Sequence, residues 1–309
     1  MSAIFKYLQE FWQKESKLSY FAVILFLSAL GIYINYRYGL EAQITAPGNT
    51  QWQIFSSRYL LYFIPFAGAF LLQLFFYSNC NYIKNPWFWV ILVMAPAFFS
   101  FRVQFQWHHS FINNWQDGDL QIFIQRCADL VIRVFVLLVP VYITWYVKDK
   151  KNQPFYGAAP LKDVKPYFLL LLMMIPLILL AVTQNDFLHM YPRAKFLEAL
   201  DLSSKNGYYF LYELCYGFDF VSIEFFFRGF LILSLIKICG AHCIIPAACF
   251  YCAIHLGKPA GEAISSFWGG LLLGIISYNT KSIWGGLIVH LGIAWFMEAG
   301  SALSLLFKK

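Results

Sequence analysis

Residues 208–238 read YYFLYELCYGFDFVSIEFFFRGFLILSLIKI, an apolar and aromatic run broken near its middle by Asp219, Glu224 and Arg228. A membrane-spanning helix needs about 20 mostly apolar residues. The run therefore suffices for one long tilted helix or for two shorter pieces broken at Gly217. An ionisable side chain inside hydrocarbon is expensive, which makes it a functional candidate by default. Glu224 and Arg228 stand four apart with the acid on the N-terminal side, the better order for a helical ion pair. The alternative reading of that spacing is an arginine that neutralises Glu224 and fixes helix packing.

The rest of the chain has the same character. Of its 309 residues, 60% are hydrophobic and 13% are charged, and the mean hydropathy is +0.58. A soluble domain carries about 25% charged residues, so this composition cannot solvate the surface of a soluble protein. It also excludes disorder, a coiled coil and a basic nucleic-acid binder. The apolar stretches are too long for outer-membrane strands. What remains is an all-α polytopic membrane protein. Further apolar runs read as candidate spans at 19–36, 59–78, 86–101, 127–147, 167–183, 243–256, 263–278 and 283–299, and eight or nine transmembrane helices are expected. Pro65, Pro96, Pro140 and Pro176 fall inside spans, where a kink is tolerated in a bundle.

The net charge of +7 comes from basic residues near the ends of apolar segments, where they meet anionic headgroups. Lys148–Lys165 holds five lysines, and by the positive-inside bias this loop faces the cytoplasm. Counting spans backwards puts the N-terminus there too, supported by Lys6, Lys14 and Lys17. The leader contains Glu10 and Glu15 and lacks a small-residue cleavage site, so it reads as an uncleaved anchor. The expected location is the inner (plasma) membrane, with the lipid bilayer as the main surroundings. No Gly-rich phosphate loop occurs, so no nucleotide is expected as partner, and basic residues placed at span ends are no nucleic-acid footprint, so no nucleic acid is expected either. The seven cysteines lack zinc-site spacing and read as small packing residues.

Few polar residues fall inside spans. Asp129 and Arg133 are four apart and read as a structural ion pair near the membrane edge. His255 closes the span 243–256, and His290 lies inside the last span. One glutamate and two histidines on three different spans form a pattern with chemical meaning. Imidazole titrates near neutrality and ligates metals when neutral. A carboxylate in low dielectric is pushed towards a general base's range. Together they could activate a water, directly or through a metal. His108 and His109, in a loop with Gln104, Gln106 and Trp107, read as interfacial, while His189 and His242 sit at span ends. Glu262 reads as a first-turn charge favoured by the helix dipole. There is no H-E-x-x-H and no G-x-S-x-G, so the zincin and hydrolase-elbow patterns are absent.

Over residues 208–300 the chain resembles the CAAX protease and bacteriocin-processing family of intramembrane metalloproteases. That family carries Glu-Glu-x-x-x-Arg, then aromatic-x-x-x-His, then His-x-x-x-Asn/Asp. Arg228 matches the motif arginine within Phe227-Arg228-Gly229, and Glu224 matches the second glutamate. Tyr251 and His255 match the second motif, followed by Leu-Gly-Lys-Pro. Gly270 to Gly274 and Ser282–Trp284 resemble the approach to the third motif, whose histidine is His290. The first glutamate, the family's usual water-activating base, is Ile223 here, and the Asn/Asp is Ala294. Asp219, four before Ile223, and Glu298, four after Ala294, lie on nearly the same helix faces and are expected substitutes.

The resemblance implies a four-helix catalytic core over residues 208–309, preceded by a variable transmembrane region over 1–207. It implies an intramembrane endopeptidase acting on a membrane-associated peptide or protein, prenylated or bacteriocin-like. The expected catalytic set is Glu224 as base with His255, His290 and Arg228. The family name implies a divalent metal such as zinc, for which Glu224, His255 and His290 would be the ligands. The alternatives are a non-catalytic relative that binds a peptide or protein partner in an immunity or scaffold role, and a small transporter or channel.

Overall fold

The computed structural model describes residues 2–116, 118–161, 163–203 and 205–307. Lys162, counted in the basic loop, and the side chain of Lys14 lie outside what it describes. The main helices are α1 (Ser2–Glu10), α2 (Leu18–Tyr38), α3 (Gln51–Phe76), α4 (Pro86–Gln104), α5 (His108–Trp115) and α6 (Gly118–Thr144). They are followed by α7 (Lys165–Ala181), α8 (Lys205–Glu224), α9 (Ile244–Ala253), α10 (Ala260–Thr280) and α11 (Trp284–Phe307). Among the described residues no strand forms, only an isolated bridge between Ala158 and Ser282.

Seven helical stretches among the described residues are long and apolar enough to cross a membrane. The protein is an integral, multi-pass, all-α membrane protein. One of the seven, 205–253, holds two limbs, and α7 is apolar but only 17 residues long. At 1.5 Å per residue α7 reaches about 25 Å, short of the roughly 30 Å hydrocarbon core. Large apolar side chains such as Phe26, Phe75, Phe135, Leu172 and Leu179 remain exposed, as lipid contact requires.

Three boundaries bear on the sequence reading, each with a physical reason. First, of the two readings left open for 208–238, the chain takes the one without a break at Gly217. α8 runs through it, because a Cβ there would meet the Trp295 ring at 2.9 Å and the bare Cα lets α11 pack close. Second, the helix changes character after Glu224, where Phe225–Leu233 widens into a π-helix whose residues are all buried. Third, residues 101–126 are mostly helical rather than a loop. Their polar groups satisfy one another: Asn113 Oδ1 accepts from Gln121 Nε2 at 2.6 Å and from Gln125.

The core is aromatic. Phe250 of α9 packs against Tyr62, Phe66, Phe99, Phe226 and Phe227, with ring centroids 5.3–5.9 Å apart. All residues of α9 are buried. Gly270 and Gly274 let α10 lie flat on α9; a Cβ on Gly270 would sit 3.2 Å from the Ala248 Cα. Close small-residue packing of this kind drives helix association in lipid, where hydrophobic burial gives no advantage. The seven cysteines are free, in keeping with their reading as packing residues.

Asp219 does not turn towards the histidines. It pairs with Arg102 of α4, which is buried. Removing one partner of a buried pair costs about 3–5 kcal/mol because the other charge is stranded. Asp219→Asn and Arg102→Met should each lower thermal stability in detergent by that order. The double variant Arg102→Met/Asp219→Leu should recover most of the loss, measured by thermal unfolding.

Candidate active site

Glu224 ends α8 and is fully buried. Its Oε1 accepts a 2.8 Å hydrogen bond from His290 Nδ1 of α11. Arg228 Nη1, one turn on, lies 3.3 Å from the same oxygen. A carboxylate oxygen accepts, so His290 Nδ1 is assigned as the donor. His290 Nε2 then accepts from the Tyr251 hydroxyl at 2.9 Å. The Tyr251 carbonyl accepts from His255 Nδ1 at 2.7 Å. One relay thus joins Arg228, Glu224, His290, Tyr251 and His255 across four helical segments.

His255 does not lie inside a span: α9 ends at Ala253, and the histidine sits in the turn before α10. Burial pushes its imidazole down to about 3, so the ring is neutral. With Nδ1 donating, Nε2 presents a lone pair that has no hydrogen-bond partner among the described residues. Beside it, Lys258 Nζ contacts Glu262 Oε1 at 2.6 Å, and the Tyr191 hydroxyl donates to Glu262 Oε2 at 3.0 Å. Glu262 does open α10 as a first-turn charge, but it is also held by this network.

Local chain geometry makes room for the carboxylate. A Cβ on Gly286 would lie 2.3 Å from Glu224 Oε2. Gly286 is in the first turn of α11, whose dipole favours an anion. A short segment before α7 fixes the start of α11: the Gly157 carbonyl accepts from Ile283 N at 3.0 Å, and the Ala159 carbonyl from Ser282 Oγ at 2.7 Å. Gly229 of the F-R-G string serves the same segment, since a Cβ there would sit 2.7 Å from the Tyr156 carbonyl oxygen.

Two buried groups are left open. Glu224 Oε2 has no hydrogen-bond partner, and neither do Arg228 Nε, Nη1 and Nη2. The guanidinium carbon lies 4.3 Å from the Tyr251 ring centroid. A tight crevice, lined by Phe227, Arg228, Ala247, Tyr251 and Gly270 among others and without room for a water molecule, borders it.

The two expected substitutes are committed elsewhere. Asp219 holds Arg102, and Glu298 accepts from Arg193 N at 2.9 and 2.8 Å, tying down the segment after Tyr191. Ile223 is buried in the main core, and Ala294 in a cluster with Tyr212 and Tyr216. The expected metal ligands are not assembled as a cage either. Both His290 nitrogens are engaged, His255 offers only Nε2, and the donor atoms of Glu224, His255 and His290 do not all lie within 4.8 Å of one another. These residues do not fit a three-ligand metal centre. Sequence reasoning missed the Tyr251 hydroxyl and Gly286; the glycine pair opening the last span was the available signal.

A buried Glu–His–Tyr–Arg relay joins the segments that carry the motifs in the last third of the chain. Residues 208–296 match the Rce1-like family, described as type II CAAX prenyl endopeptidase Rce1-like, in keeping with the resemblance drawn from the motifs. No curated protein and no solved structure matches the chain.

Gly→Ala inside a helix ordinarily gains up to about 1 kcal/mol. Gly286→Ala should instead destabilise by about 1–3 kcal/mol, because the methyl overpacks against Glu224. In a Glu224→Ala background the same change should be neutral or stabilising. A double-mutant cycle on unfolding in mild detergent measures the coupling.

Proposed function

We propose that the chain is an intramembrane endopeptidase that hydrolyses one amide bond of a membrane-associated peptide, prenylated or bacteriocin-like, with a water activated by Glu224. The observation that carries this reading is the pairing of an open acceptor, Glu224 Oε2, with open donors on Arg228, both fully buried. A buried polar group without a partner costs about 1–3 kcal/mol. A water and a substrate carbonyl between the two would satisfy both. The water donates to Oε2 and attacks the carbonyl carbon as Glu224 takes its proton. The developing oxyanion accepts from the Arg228 guanidinium. The C–N bond then breaks, and Glu224 returns the proton to the leaving amine. His290 and Tyr251 hold the carboxylate in place, and His255 Nε2 accepts the second water hydrogen. The family match to prenyl endopeptidases supports the substrate class. The lysine distribution supports the inner (plasma) membrane with the N-terminus on the cytoplasmic side.

A second reading is a non-catalytic relative that binds such a peptide or a protein partner without cleaving it. Ile223 in place of the family's usual base, and Ala294 in place of an amide, favour it.

The test is cleavage of C-terminally prenylated peptides by the full chain in liposomes. Glu224→Gln should lower the rate about 10²–10⁴-fold, the usual worth of a general base. Intact peptide retained equally by wild type and variant would instead establish the binding reading.

A further inference from the structure

A separate cluster lies outside the core. His108 and His109 open α5 rather than sitting in a loop. Their Nε2 atoms lie 3.0 and 2.8 Å from one and the same oxygen, Asp129 Oδ1 of α6. Asp129 therefore does not form the expected pair with Arg133; among the described residues its ion-pair partners are the two histidines. The two rings stand at 85° with centroids 4.6 Å apart, and Phe105 stacks on His108 at 16°. The side chains are 10%, 28% and 19% exposed, so the cluster is sheltered yet accessible.

Consecutive histidines on a helix point about 100° apart, so convergence of both on one oxygen is a specific arrangement. Among the described residues this is the group of three whose possible ligand atoms lie within 4.8 Å of one another. Two imidazoles and one carboxylate form a donor set for zinc and related ions, with bonds of about 2.0–2.2 Å. Ligand atoms around such a tetrahedral ion lie about 3.3 Å apart. The two histidine–carboxylate spacings, 3.0 and 2.8 Å, need to open by only a few tenths of an ångström. In the ion-free arrangement Nε2 of each ring donates to Asp129 Oδ1; His108 Nδ1 has no hydrogen-bond partner, so a proton moved to it leaves Nε2 with a lone pair for a cation. Arg133 lies one turn from Asp129 and opposes a cation, whereas Arg102 is neutralised by Asp219.

We propose that His108, His109 and Asp129 bind a divalent transition-metal ion, zinc by ligand chemistry, with a water in the fourth position. The ion clips the start of α5 onto the N-terminal half of α6. The proposal is independent of the hydrolytic reading of the core.

The test is titration of the full chain in nanodiscs with Co(II), read by its visible absorption, followed by displacement with zinc. One equivalent should give the intense bands of a four-coordinate site, and zinc should abolish them. His109→Gln and Asp129→Asn should each remove the bands, while His255→Ala and His290→Ala keep them. Zinc should raise the unfolding temperature of wild type but not of His109→Gln. Absent bands in wild type, bands surviving both Asp129→Asn and His109→Gln, or bands lost in His255→Ala would each overturn the proposal. If one ligand variant fails to fold, the other decides, with gel filtration reporting on fold.

Discussion

A carboxylate with no exposed surface sits where helices α8, α9 and α11 meet, and the core is arranged around it. Glu224 cannot remain ionised in hydrocarbon without compensation, and three sources supply it. Arg228 gives charge from the next turn, His290 gives a hydrogen bond from another helix, and the first turn of α11 gives its dipole. Each source is usable only if the helices keep one register. The bare Cα of Gly286 allows the approach, and the segment around Gly157 holds the start of α11 in place. The π-helix that begins after Glu224 belongs to the same constraint: such widenings recur at functional sites, and here one carries Arg228 beneath the Tyr251 ring.

Elsewhere the chain uses its few charges as long-range fasteners. Arg102 and Asp219 are 117 residues apart in sequence, and Glu298 reaches back 105 residues to the Arg193 amide. Lys148 Nζ and the Tyr156 hydroxyl both donate to Asp149 at 2.8 Å, and Lys148 also donates to the Ser234 carbonyl at 2.8 Å. In lipid, apolar surface gains nothing by meeting other apolar surface. A handful of polar contacts therefore decides which helices are neighbours, and the aromatic packing fills in around them.

The helices were legible because hydropathy over about 20 residues responds directly to bilayer thickness. The F-R-G string, His255 and His290 were legible because polar residues are rare in such runs. Three things were not. Residues 101–126 looked like a loop because pairing of Asn113 with Gln121 and Gln125 is invisible to a hydropathy window. Asp219 and Glu298 looked available because helix faces can be read from spacing, whereas partners on other segments cannot. Asp129 looked paired with Arg133 because an i,i+4 neighbour is the only partner a sequence displays; the two histidines arrive from another helix. The limit in each case is tertiary contact, not local propensity.

Helix α9 has ten residues and is about 15 Å long, half of what a bilayer crossing takes. It is also buried on every side. Such a segment has no stable resting place of its own in lipid during synthesis. Its wall is made by Tyr62, Phe66 and Phe99, which leave the ribosome long before it does. The first half of the chain thus acts as a receiving dock for the second. A polypeptide holding only residues 208–309 would lack the aromatic wall against which this helix packs.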